Sequence, residues 1–283
     1  MNASATVVTV PDLNTHESPW QRGATPALRA AAAFWLGVAV LGQLLFAFYV
    51  VDFYGRTAMR GHWQEWNTVL AAGYIRGDTL GNTALVAHLL CAVAVMLSGA
   101  AQLVPLVRRR WPRFHRWNGR FFLISAMIAS LGGVYMIWAR HVAGGDLIGR
   151  LSGSLNALLI LGFAGLALKH ARGRRFDVHR RWALRLFLAV SGVWFFRVGL
   201  MFWIAVNHGP VGFDPKTFTG PFLSFLGFAE YLLPLSVLQL YFVAEKSRKA
   251  SAKFAMAGGL VTLTLMMGVG IAAAFAFLWL PHL

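Results

Sequence analysis

The sequence predicts an all-α fold, a polytopic transmembrane helical bundle of about seven spans. Three observations lead there. The chain of 283 residues is 58% hydrophobic, with a mean hydropathy of +0.59. Only 13% of its residues are charged, where a soluble domain carries about 25%. The apolar residues also fall in unbroken runs near the ~20 residues that a helix needs to cross hydrocarbon.

Residues 1–26 are polar, contain proline and lack an early basic stretch. They read as a flexible tail rather than a cleavable leader. A single transmembrane domain over 27–283 follows, because the helices of a bundle share one packed interior. The spans fall at 27–51, 82–107, 120–139, 151–169, 183–206, 221–244 and 254–280. The last is rich in Gly, Ala and Met, which suits packing on the bundle or facing lipid.

Charge sets the expected orientation. The second, fourth and sixth connections hold 17 Lys and Arg residues, and the first, third and fifth hold six. By the positive-inside rule the basic set is cytoplasmic, which places the N-terminus inside. This orientation also accounts for the net charge of +16 without nucleic acid as a partner. The expected setting is a bacterial inner membrane, with the bilayer and its anionic headgroups as partners. The first external connection, 52–81, carries Trp63, Trp66, Val69, Leu70 and Tyr74 near helical spacing. It reads as an interfacial loop with a short helix lying in the interface or capping the bundle.

Two connections repeat a motif. Residues 108–120 read RRRWPRFHRWNGR and residues 172–185 read RGRRFDVHRRWALR. At a constant offset Arg108, Arg110, His115 and Arg116 fall on Arg172, Arg174, His179 and Arg180. One residue of slippage then aligns Trp117 and Arg120 with Trp182 and Arg185. Spans two–three and four–five therefore read as two similar helical hairpins. Arg116, Arg120, Arg180 and Arg185 suit headgroup phosphates. His115 and His179 have two readings: helix-start anchors, or facing axial ligands to a b-type haem.

Polar residues inside spans are costly and so mark candidate sites. Arg197, Glu230 and His88 come from three spans and reach similar depth in the external half, with Asn156 and Tyr135 at neighbouring depth. Arg197 and Glu230 are expected to pair, with His88 in hydrogen-bonding or water-bridged reach. His88, Cys91, Val95, Gly99 and Gln102 share one helical face. The pair reads either as a device that fixes helix register or as an externally open pocket. In that pocket His88 would accept a proton or ligate a metal or haem, and Glu230 would handle protons. His62, His141 and His208 are external and could add ligands, but a zinc site is not expected, since zinc takes three or four. The single cysteine, Cys91, excludes an intramolecular disulfide and a cysteine-based zinc site. No phosphate-binding glycine loop, nucleophile elbow or HExxH is present.

The run GDTLGNTALVAHLLCAVAVMLSGAAQLVPLVRRRWPRFHRWNGR, with DVHRRWALR and Arg197, resembles bacterial membrane proteins grouped as domain of unknown function 2306. The resemblance spans roughly residues 45–245. Its most specific parts are AHLL at His88, Gln102, HRWNGR at 115–120 and HRRW at 179–182, with Glu230 also fitting. It implies fold and location and carries no activity. A more distant similarity is to two-haem b-type membrane cytochromes, although His115 and Gly119 stand four apart here rather than three. Three functions follow as expectations. One is redox chemistry through a b-type haem or quinone. The second is binding or proton-coupled transport of a small anionic solute at His88, Arg197 and Glu230. The third is a structural or assembly accessory.

Overall fold

The computed structural model describes residues 19–140 and 146–283. Among these, six helices are long and apolar enough to cross a membrane, and a bent pair makes a seventh crossing. The spans are α1 (Pro19–Met59), α2 (Thr79–Leu103), α4 (Pro112–Tyr135), α5 (Leu147–Arg172), the pair α6 (Phe176–Val190) and α7 (Gly192–Asn207), α8 (Pro221–Lys246) and α9 (Ala250–Ala274). A short helix, α3 (Pro105–Arg110), lies in the first basic turn.

Helix α1 is longer than the sequence suggests at both ends. Residues 19–26, read as tail, are helical, and the rest of that tail lies outside the described residues. Contacts with α9 explain the extension: Lys253 Nζ donates to Thr25 Oγ1 at 2.8 Å, and the Trp20 and Phe254 rings sit 4.0 Å apart. At the other end the helix runs on to Met59, into the segment expected to be loop. Asp52 and Arg56 pair at 3.2 Å one turn apart. Arg56 also holds the carbonyls of His282 at 2.7 Å and Leu283 at 3.2 Å.

The expected interfacial helix is a six-residue 3-10 segment, Trp63–Thr68. Trp66 is buried, and its indole N–H donates to Thr57 Oγ1 at 2.8 Å, so the segment caps the bundle. It stops short of Tyr74 because side-chain amides take over the backbone groups beyond it. Asn67 bonds both the N–H and the carbonyl of Tyr74, and Asn82 does the same for Ile75.

The two hairpins repeat in detail. Helices α2 and α5 both begin on an Asp-x-x-Gly cap: Asp78 accepts from Gly81 N–H and Asp146 from Gly149 N–H. In α4 and α6 each histidine is the fourth residue, bonded through its N–H to the N-cap carbonyl, Trp111 for His115 and Arg175 for His179. Arg120 lies over Trp117 at 4.8 Å, and Arg185 over Trp182 at 4.7 Å. The first hairpin is longer by about one helical turn, and α3 takes up the difference.

Within the first hairpin Arg140 acts as a clasp. It ends the one-turn π-helix Met136–Arg140 that continues α4. Its guanidinium meets Asp78 at 3.0 Å, Gly81 O at 2.8 Å and Asn82 Oδ1 at 3.0 Å. Gly81 must lack a side chain, because a Cβ there would overlap both Asp78 and Arg140. Gly81→Ala is therefore expected to cost about 1–3 kcal/mol by overpacking, measured as a lower melting temperature in detergent.

Around the bundle, α1 packs on α2 and α9, α2 on α4, α4 on α5, and α5 on α8. Helix α6 lies against α5 and α8, while α7 lies against α9 and α8 and makes no extensive contact with α2, α4 or α5. The 53° bend between α6 and α7 moves the second half of this span from α5 towards α9.

Candidate functional site

The bend is written into the residues at its centre. Ser191 leaves helical geometry at φ −81°, ψ 0° and turns its hydroxyl back onto the Phe187 carbonyl at 2.7 Å. Such back-bonding competes with the helix ladder, and a Ser-Gly pair is a common kink site. Gln43 of α1 donates to Ser191 Oγ at 2.9 Å and fixes the break from the side. Helix α7 starts at Gly192 with no side-chain cap.

Glu230 and Asn156 converge on that start. A Cβ on Gly192 would lie 2.7 Å from Asn156 Nδ2 and 3.1 Å from Glu230 Oε1. Glu230 and Asn156 are buried, and neither side chain hydrogen-bonds to any of the described residues. The positive end of a helix dipole next to a carboxylate is a favourable arrangement. Four residues after Glu230, Pro234 lies inside α8. Proline has no N–H, so the Glu230 carbonyl lacks its usual helical donor. The break in the fifth span thus faces a position in the continuous helix α8 where one backbone hydrogen bond is missing. Gly192→Leu is expected to overpack against Asn156 and Glu230 and to lower the melting temperature in detergent.

The other expected pocket residues are arranged differently. Arg197 and Glu230 form no ion pair. The ion pairs among the described residues are Asp52–Arg56, His62–Glu65, Asp78–Arg140 and Arg180–Glu245. The cause is register. Glu230 meets α7 at its first residue, and Arg197 projects about 7 Å further along the helix. Its guanidinium lies over the Phe46 ring at 5.1 Å and donates to the Val193 carbonyl at 3.2 Å.

His88 makes its hydrogen bond with α4, through Nδ1 to the Ala129 carbonyl at 2.9 Å. A carbonyl partner makes Nδ1 the donor, which leaves Nε2 as an acceptor. Gly132 and Gly133 let the helices close on the imidazole. The stripe that includes His88 faces α4 further along too: Gly99 meets the Phe122 ring and Gln102 donates to the His115 carbonyl at 2.9 Å. Tyr135 packs against the apolar cluster around Tyr49 and Trp194.

At the basic end His179 Nδ1 bonds the Ala167 carbonyl at 2.9 Å, whereas His115 Nδ1 is buried without a partner. Arg180 pairs with Glu245 at 3.4 Å and Arg185 with Gln239 at 3.0 Å, which ties α6 to α8. Arg116 and Arg120 stay exposed. Below the two histidines the helices are tightly packed. About two turns into each helix, Phe122 and Phe187 close on Gly99, inside a cluster with Val95, Ile160 and Leu186.

Of the remaining histidines, His62 pairs with Glu65 at 3.0 Å and His208 ends α7 in left-handed geometry. His141 lies outside the described residues. Among the described residues no three His, Cys, Asp or Glu side chains gather as a metal site would require.

Sequence reasoning missed Gln43, Ser191, Gly192 and Arg140. The Ser-Gly pair in mid-span was a legible sign of the break. The repeated GDxxG at 77–81 and 145–149 was an equally legible sign of the duplicated hairpin.

No curated protein and no solved structure matches the chain. A family model described as "Predicted membrane protein (DUF2306)" matches residues 85–220. That stretch holds both basic turns, Asn156, Gly192 and Arg197, and stops before Glu230. Over it, the chain resembles the family of predicted membrane proteins grouped as domain of unknown function 2306.

Proposed function

We propose that the protein binds a small anionic solute within the membrane and carries it across, using the break in the fifth span. The observation that supports this most is the meeting of the broken fifth span at Gly192 with the buried carboxylate of Glu230 on α8. Membrane transporters place substrate and coupling-ion sites at such discontinuities, because freed backbone groups there can serve a ligand. In this reading Arg197 donates to the solute's anionic group, His88 Nε2 accepts a hydrogen bond from a hydroxyl or N–H elsewhere on the solute, and Glu230 handles the coupled charge. In the same reading the solute reaches the break from the side opposite the basic turns. Those turns face the cytoplasm of a bacterial inner membrane, with Arg116 and Arg120 on anionic headgroups.

The test is ligand-induced thermal stabilisation of the purified protein against a panel of small carboxylates and inorganic phosphate. At least one should raise the melting temperature saturably, and Arg197→Gln should weaken that ligand about 10- to 100-fold, the worth of one charge-assisted hydrogen bond. A panel without effect, together with unchanged behaviour of Arg197→Gln, would remove the support for this reading.

A further inference from the structure

The two basic turns dispose of their arginines differently. In the second turn α8 takes them up. Arg180 pairs with Glu245 at 3.4 Å, Arg185 donates to Gln239 at 3.0 Å, and Arg181 lies over the Phe242 ring at 5.3 Å. The helix beside α4 is α5, and its last turn carries Lys169, His170 and Arg172 instead of an acid. No Asp or Glu lies between Asp78 and Asp146 in the sequence. Arg109, Arg110, Arg113 and Arg116 are exposed and meet no hydrogen-bond, ion-pair or ring partner among the described residues. A counter-anion for the first turn must come from outside the protein.

The first turn also has a shape. Pro105 opens α3 and Pro112 opens α4, a first-turn position where proline loses no hydrogen bond. Trp111 joins the two helices. Its N–H donates to the Val107 carbonyl at 2.9 Å, and its carbonyl accepts from the His115 N–H at 3.0 Å. Gln102 on the His115 carbonyl and Asn118 on the Ser98 carbonyl, both at 2.9 Å, hold α4 against α2 beside this corner. Val107, Trp111, Pro112 and Phe114, with Arg110 and Arg113, line a mainly apolar groove of about 730 Å³.

We infer that this groove binds one anionic phospholipid, with the phosphate on Arg110 and Arg113 and the upper acyl chain along Val107, Trp111 and Phe114. Guanidinium groups match phosphate oxygens in bidentate pairs, and basic pockets at the membrane surface bind anionic headgroups. Aromatic rings at headgroup level suit the start of an acyl chain. The apolar lining favours a lipid over free phosphate, which would use the two arginines and leave Trp111 and Phe114 uncovered. The site is separate from the break in the fifth span and stands whether or not a solute binds there.

The experiment follows thermal unfolding of the purified full chain in neutral detergent against added phosphatidylglycerol, phosphatidylcholine or inorganic phosphate. Phosphatidylglycerol should stabilise saturably, and the other two should not. The double variant Arg110→Gln/Arg113→Gln should raise the phosphatidylglycerol midpoint about tenfold or more, the scale of losing a charge-assisted hydrogen bond. Arg172→Gln/Arg174→Gln removes the same charge from the second turn and should leave the midpoint unchanged. Native mass spectrometry should retain one phosphatidylglycerol on the parent chain and none on Arg110→Gln/Arg113→Gln, a readout that needs no melting transition. Equal stabilisation by the two lipids would overturn the inference. So would the same loss from both double variants, which marks diffuse charge attraction, or inorganic phosphate as effective as the lipid, which marks a free-anion site.

Discussion

Glu230→Gln is expected to abolish gradient-driven solute uptake in proteoliposomes, by about 100-fold or more, the scale of removing a proton- or charge-handling group. The same substitution should leave the melting temperature unchanged or raise it. The physical reason is that the carboxylate is buried beside Asn156 and the α7 start without a hydrogen-bond donor. A neutral amide of the same shape removes a desolvation cost instead of a stabilising pair. A Glu230 that served only helix register would behave in the opposite way, with stability falling and uptake following it. Measuring both quantities on one preparation separates the two cases.

Arg140→Ala is expected to lower stability by about 2–3 kcal/mol, read from thermal unfolding in detergent. Arg140 meets Asp78, Gly81 O and Asn82 at once, so its loss strips one end of the first hairpin. The effect falls short of breaking a fully sealed pair because the Asp78 side chain is 30% exposed and water can reach it. Arg140→Lys should recover only part of the loss, since an ammonium cannot present the planar fork that spans these three partners. An Arg140→Ala variant as stable as the parent would show that α2 and α4 need no clasp at this end.

How much of this was legible in the sequence depends on the distance over which each feature is encoded. The spans and the duplicated basic turns are local patterns, and they appear in the structure in the expected order. The ends of α1 were not legible, because Lys253, Phe254 and the carbonyls of His282 and Leu283 stabilise them from the far end of the chain. The identity of polar residues in mid-span pointed to Glu230, Asn156 and Arg197, and two of these three share one locus. Pairing Arg197 with Glu230 failed because equal depth along separate helices does not fix angular position, and the bend at Ser191 rotates α7 away from the straight-helix expectation. Hydropathy could not reveal that bend, since Ser191 and Gly192 barely lower the mean of an otherwise apolar run. Gln43 escaped notice because its role depends on α1 lying against the break.

The central claim is that Gly192, Asn156 and Glu230 line a cleft reached by water from one side of the membrane. Cys91 is the only cysteine in the chain, so a Cys91→Ala background makes single-cysteine labelling direct. Asn156→Cys and Glu230→Cys in that background would be treated, in intact membranes, with a small charged membrane-impermeant thiol reagent. The account predicts modification of both, slowed by the stabilising solute. Two cysteines that react only after denaturation, in a protein that otherwise melts normally, would contradict it.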